Sequence, residues 1–282
     1  MKSIKNIVVT TDFSATSRNA YMYAQMLAET LNAEITVLHI KEPQYPNSEF
    51  FIPIPAIAAL DDAPLNETMK SFVENEDSDT TVMVKTKVQS KIVTGKVIDE
   101  IIHYSKRDDV DLMVMGTTGS EDIISKIIGT VSLDVANKAH CPVVLVPRDA
   151  TWQPINRIMF AANYASALPK TMSELIGFAE LLDSNIHFVH INEHLAEDDN
   201  LMETIWDELF EASDPRVAFE MHTINSGNVV EQLEKYVTDH HIDLIAFVNK
   251  KRNFWQNLMH HSVTQNVVIS ADKPMLILHF DD

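Results

Sequence analysis

Residues 4–40 read IKNIVVTTDFSATSRNAYMYAQMLAETLNAEITVLHI, and residues 155–191 read INRIMFAANYASALPKTMSELIGFAELLDSNIHFVHI. The two stretches align without a gap. Ile4, Ile7, Ala28, Glu29, Leu31, Ile35, His39 and Ile40 recur identically as Ile155, Ile158, Ala179, Glu180, Leu182, Ile186, His190 and Ile191, and the other apolar positions mostly stay apolar. Further on, GKVIDEIIHYSKRDDVDLMVM from Gly95 matches GNVVEQLEKYVTDHHIDLIAF from Gly227, gap-free through the closing runs CPVVLV and KPMLIL. Chance likeness between two α/β domains and a single larger sheet are the competing readings. Register kept over whole elements favours duplication.

Each copy reads strand, helix, strand, variable stretch, strand, helix, strand, loop, helix, strand. Continuous apolar runs such as NIVVT, DLMVMG and PVVLVP, bounded by polar or turn residues, are the pattern of parallel strands buried on both faces. Alternation with helices implies right-handed βαβ units. The expected fold is therefore α/β, two tandem doubly wound, Rossmann-like domains of five parallel strands, at 1–148 and 154–282. Residues 148–154, RDATWQP, form a short linker. From Glu42 to about Thr80 the first copy carries an extra segment whose early prolines oppose regular structure and whose later part can form a helix. Its apolar cluster FFIPIPAIAAL is read as a folded-back loop in preference to a lid or partner surface.

Composition narrows the function. The chain has 282 residues, 22 of them basic and 41 acidic, for a formal charge of −19. That field repels a phosphate backbone, so nucleic acid is not an expected partner. An anion can still be held by local N–H groups or a helix N-terminus. No run approaches the roughly 18 apolar residues that cross a bilayer, and MKSIKNIVVTTD enters a strand-like segment directly, so the expected location is cytoplasmic and away from membranes. The single cysteine, Cys141, beside Pro142 and an apolar run, is expected to be a packing residue.

Doubly wound sheets bind ligands beyond the carboxyl ends of their strands, where strand order reverses. In the first copy, the first strand ends in TTDFS. There Asp12 can accept from a ribose hydroxyl or help hold magnesium, and Ser14 or Thr16 can cap the next helix. The fourth strand ends in GTTGSEDIISKIIGTVS. Gly116 and Gly119 permit a tight turn and close approach of a ligand to the backbone. Gly129, Thr130 and Ser132 then open the last helix, presenting N–H groups and hydroxyls to an anion. This is a phosphate site without a lysine. A plain turn and helix cap is the alternative, and Thr117 and Thr118 would then serve only the turn.

This loop, Asp12 and the five-strand repeat together resemble the universal stress protein family, its tandem-domain members and its ATP-binding subgroup, over nearly the whole chain. The resemblance implies an adenine-nucleotide α-hydrolase-like fold. It implies ATP, with Mg2+ as a companion, its triphosphate on Gly116, Gly119, Gly129, Thr130, Val131 and Ser132. Asp12 and Gly116 would lie at the ribose and the main chain around Ile40 at the adenine, with Thr11 and Met115 completing the set at the strand tips. It also implies domains paired through their last strands, PVVLVP with PMLILH, an unidentified protein partner, and a homodimer as an open option. No dedicated catalytic base is evident, so dedicated enzyme activity is not expected. A slow ATPase or other adenine-nucleotide enzyme, and a ligand-free assembly protein, are the alternative functions.

The second copy departs at each diagnostic position: Asn163 for Asp12, Val248 for Gly116, Lys251 for Gly119 and His261 for Gly129, with Ser262 surviving as the helix-opening hydroxyl. Side chains at these glycines are expected to fill the space a triphosphate needs. Nine of the twelve histidines lie from His187 onward, but His187 with His190 fits neither strand nor helix ligand spacing, and His240–His241 and His260–His261 are adjacent pairs that point apart. No metal site is expected.

Overall fold

The computed structural model describes residues 3–43, 62–74, 86–117, 128–162, 169–191, 217–224, 229–249 and 272–279. In the first copy these form β1 (Asn6–Thr10), α1 (Ala15–Leu31), β2 (Glu34–Lys41), α2 (Ala63–Glu74), β3 (Val88–Thr94), α3 (Val97–Tyr104), β4 (Leu112–Gly116), α4 (Thr130–Lys138) and β5 (Val143–Val146). The second copy contributes β6 (Arg157–Ala162), α5 (Pro169–Leu182), β7 (Asn185–Ile191), β8 (Phe219–Ile224), α6 (Val229–Asp239), β9 (Leu244–Asn249) and β10 (Met275–His279).

The strands form one sheet in the order β3-β2-β1-β4-β5-β10-β9-β6-β7-β8. Pairing within each copy is parallel, and only the central junction, Met275 opposite Leu145 and Ile277 opposite Val143, is antiparallel. Duplication and a larger sheet, which the sequence poses as alternatives, therefore both hold. Two five-stranded halves meet at their last strands, and each protects an edge the other would leave open.

Burial explains which runs became strands. β1, β4 and β5 are buried almost throughout, whereas the two outer strands carry QSK and EMHT outward. Tyr21, Leu27, Phe72 and Phe178 fill one face of the sheet, and Ile101, Val135, Leu233 and Ile242 fill the other. Cutting the fully buried Leu27 to Ala costs about 2–5 kcal/mol.

Local signals repeat between the copies. Ser14 caps α1 with its hydroxyl on the Ser17 amide, and Asn32 closes the helix in the left-handed region at φ 53°. Asp183, at φ 55°, occupies the same place after α5. Asp111 accepts from the amides of Lys5 and Asn6 at 2.8 and 3.0 Å, and Asp243 does the same for Asn156 and Arg157 at 2.9 and 3.0 Å. The linker is docked: the Asn19 amide donates to the carbonyls of Pro147 and Ala150, and Trp152 meets Tyr23 edge-on at 4.8 Å.

Of the extra segment, α2 is the expected helix. It lies against α1, with Arg18 donating to the Phe72 carbonyl at 2.7 Å and its guanidinium 4.2 Å from the Phe72 ring centre. The FFIPIPAIAAL cluster lies outside the described residues.

Candidate functional site

Strand order in the first copy reverses at β1, whose neighbours are β2 and β4. A cleft of about 1030 Å³ opens at the carboxyl ends of these strands. Of the residues expected there, Thr11, Asp12, Ile40, Met115, Gly116, Gly129, Thr130, Val131 and Ser132 all line it. Gly119 and Thr118 lie outside the described residues.

The floor after β1 is a turn built by its own hydroxyls. Thr11 Oγ1 accepts from the Phe13 amide at 2.9 Å and lies 3.0 Å from Ser17 Oγ, while Asp12 Oδ1 accepts from the Ser14 amide at 3.0 Å. Phe13 is held at φ 64°, an uncommon conformation for a bulky residue, with its ring 4.5 Å from His39 and 5.6 Å from Phe72. His39 Nδ1 donates to the Thr11 carbonyl at 2.8 Å, which places the ring proton on that nitrogen. Burial pushes the Asp12 carboxyl up, but hydrogen bonds from Ser14 and Ser17 outweigh it, and the net shift is below the ordinary carboxylate value. Asp12 is thus an anion at neutral pH, suited to a ribose hydroxyl or a divalent cation. Ser14, not Thr16, is the helix cap. Thr16 is buried inside α1.

On the opposite wall, the Gly129 amide donates to the Thr117 carbonyl and closes the loop between them. Gly129 is the N-cap of α4, without a side-chain cap, so among the described residues no acceptor is seen for the first-turn amides of Thr130, Val131 and Ser132. One expectation needs correction here, and one gains a packing reason. The Ser132 hydroxyl donates to the Gly116 carbonyl at 2.7 Å, so its proton is committed within the fold and only its amide is offered to an anion. Gly116 is glycine because of α1: a Cβ there would sit 2.8 Å from Thr16 Cγ2 and 3.1 Å from the Thr16 carbonyl carbon. A side chain at this position would collide with the packed helix, while the glycine backbone itself still lines the cleft.

The site is also not without lysine. Lys96 and Lys138 reach the cleft, Lys138 paired with Asp134 at 2.8 Å and Lys96 with no ion-pair partner among the described residues. The sequence signal for Lys96 was its place directly after Gly95, at the N-cap of α3, an end of the element that faces the same crevice. Glu42, Asp99 and Asp134 join Asp12, so carboxylates outnumber amines around the opening.

A sequence profile of the Universal stress protein family matches residues 3–147 and again 155–279. The chain belongs to this family. It is 26% identical to universal stress protein MJ0531 of Methanocaldococcus jannaschii over 151 residues, which is 51% of this chain and 82% of that one. It is 27% identical to MJ0577 of the same organism over 155 residues, covering 51% and 95%. A universal stress protein structure from Archaeoglobus fulgidus superposes over 98% of this chain and 97% of its own with a TM-score of 0.68 at 16% identity, which speaks to the fold alone. Two universal stress protein domains thus lie in tandem, their last strands joined.

In the second family domain, Val248 pairs with Leu278 where Gly116 pairs with Val146, and its side chain is buried in the core. Asn163, Lys251, His261 and Ser262 lie outside the described residues. Sequence spacing missed one constellation there: His187, Glu220 and His240 offer ligand atoms within 4.8 Å of one another. Cys141 is buried, which pushes its thiol up to about 12, as a packing role requires. No helix among the described residues is long and apolar enough to cross a membrane.

Proposed function

We propose that the first domain binds one adenine nucleotide, ATP with Mg2+, and acts in a cytoplasmic stress response by presenting its occupied loop to a protein partner. Gly129 carries the proposal. Its backbone, φ −63° and ψ 155°, is extended and open to any residue, so its φ does not require glycine, and capping the helix is met as well by Ser, Asn or Asp. Close approach of an anion to the first-turn amides of α4 does give a reason for glycine. The triphosphate lies along Gly116, Gly129, Thr130, Val131 and Ser132, with Gly119 on the loop between. Asp12 takes the ribose, and the main chain at Ile40 reads the adenine between Thr11 and Met115.

Electrostatics supports the magnesium ion. With Asp12, Asp99, Asp134 and Glu42 against Lys96 and Lys138, a bare triphosphate would meet net repulsion, which a divalent cation bridging phosphate and carboxylate removes. Lys96 adds a point charge that slides along the phosphates without fixing one geometry. Mass spectrometry of small molecules released from the purified native protein tests the reading. Near-stoichiometric adenine nucleotide is expected. Its absence, together with no rise in melting temperature on adding MgATP, contradicts it.

A further inference from the structure

His187 lies in the middle of β7 with only 4% of its side chain exposed. Directly across the ladder stands Glu220 of β8, its Oε2 3.4 Å from His187 Nδ1. From just beyond α6, His240 brings its ring to 5.6 Å from that of His187. Tyr236, one turn earlier, stacks on His240 at 4.0 Å and has its hydroxyl 3.0 Å from His187 Nδ1. One ligand atom from each of His187, Glu220 and His240 falls within 4.8 Å of the other two. Two imidazoles and a carboxylate are a donor set for zinc-class ions, with a fourth position open to water or a further ligand. Donors around zinc stand about 3.3 Å apart when each bond is near 2.1 Å. Side-chain rotation at the exposed Glu220 supplies part of that closure.

The first domain is an internal control. At the same ladder positions, β2 and β3 carry Thr36 and Gln89, with the Gln89 amide donating to Thr36 Oγ1 at 2.9 Å and that hydroxyl donating to Asn6 Oδ1 at 3.2 Å. Tyr104 aligns with Tyr236, and Asp108 stands in the place of His240. The shared fold is therefore built equally well with a neutral pair at this place, and nothing in its packing calls for a buried imidazole facing a carboxylate. We propose that the second domain binds one divalent transition-metal ion of the zinc class through His187, Glu220 and His240. The ion would clip the outer strand β8 and the end of α6 to β7.

The test is zinc uptake by the full chain after chelator treatment, followed by cobalt(II) absorption as a report on coordination. The expected result is one tightly held zinc per chain and a visible cobalt band. His187→Thr and Glu220→Gln, residues the first domain itself uses, should each weaken uptake by about tenfold or more and remove the band while circular dichroism is unchanged. Should His187→Thr fail to fold, Glu220→Gln and His240→Ala carry the same expectation. No zinc uptake by the unsubstituted chain, or uptake and cobalt spectra unaltered in Glu220→Gln and His240→Ala, overturns the proposal.

Discussion

The Ser132 hydroxyl donates to the Gly116 carbonyl at 2.7 Å, tying the first turn of α4 to the end of β4 across the cleft. A hydroxyl so engaged holds the wall in place and cannot also donate to a phosphate. Ser132→Ala should therefore lower stability by about 1 kcal/mol, read from denaturant unfolding, because a half-buried carbonyl loses its donor. MgATP affinity should stay within about threefold, the size of an indirect effect worth well under 1 kcal/mol. A loss of a hundredfold or more would mean that the hydroxyl turns to the ligand.

Gly116 and Thr16 form the second coupled pair. Gly116→Val should destabilise by about 1–3 kcal/mol through overpacking against α1. The second copy reads Val248 and Ala167 at these two alignment positions, a large residue at one and a small one at the other. Adding Thr16→Ala should recover part of the loss, since it removes the Cγ2 at 2.8 Å but leaves the backbone atoms at 3.1 and 3.2 Å. A double-mutant cycle measures this. Strict additivity would contradict the packing account of the glycine.

Asp12 sets a pH dependence whose sign is fixed by the direction of its shift. A carboxyl with a folded value below its unfolded one contributes stability that is fully present above the unfolded value, near 3.9, and is lost as pH falls through the lower folded value. Asp12→Asn should reduce MgATP affinity and flatten the acid limb of the stability curve below about pH 4, while leaving the shape above pH 5 unchanged. Thermal unfolding from pH 2 to 8 checks it. An Asp12→Asn difference that grows between pH 6 and 8 would contradict an ionised Asp12.

Cys141 should behave as an inert thiol. Burial pushes it up to about 12, so the reactive thiolate is scarce at pH 8. Iodoacetamide at pH 8 should leave the native chain unmodified over an hour and alkylate the unfolded chain fully. Rapid labelling of the native protein would show that the turn before β5 opens.

Much of this architecture is written in local pattern. Runs such as NIVVT and PVVLVP announce strands buried on both faces, and gap-free repetition announces two domains, because burial and register act over a few neighbouring residues. The glycines and threonines after β4 were legible as a helix-opening site for the same reason. What stayed hidden depends on contacts between distant segments. The reason for Gly116 is Thr16, a hundred positions earlier in the chain, and the proton of Ser132 is claimed by a carbonyl on another element. Lys96 reaches the cleft only because α3 starts at the same end of the sheet as α4. His187, Glu220 and His240 come from two strands and a helix end, so no spacing rule within one element finds them.

The central claim is one nucleotide per chain, held at the start of α4. Isothermal titration of MgATP into the full chain, beside Gly129→Val, tests this, because the backbone angles of Gly129 are ones any residue adopts. One site per chain is expected, with binding about a hundredfold or more weaker in Gly129→Val and stability lowered by only about 1 kcal/mol for the poorer helix cap. Equal affinity in the two proteins, or two equivalent sites per chain, would contradict it.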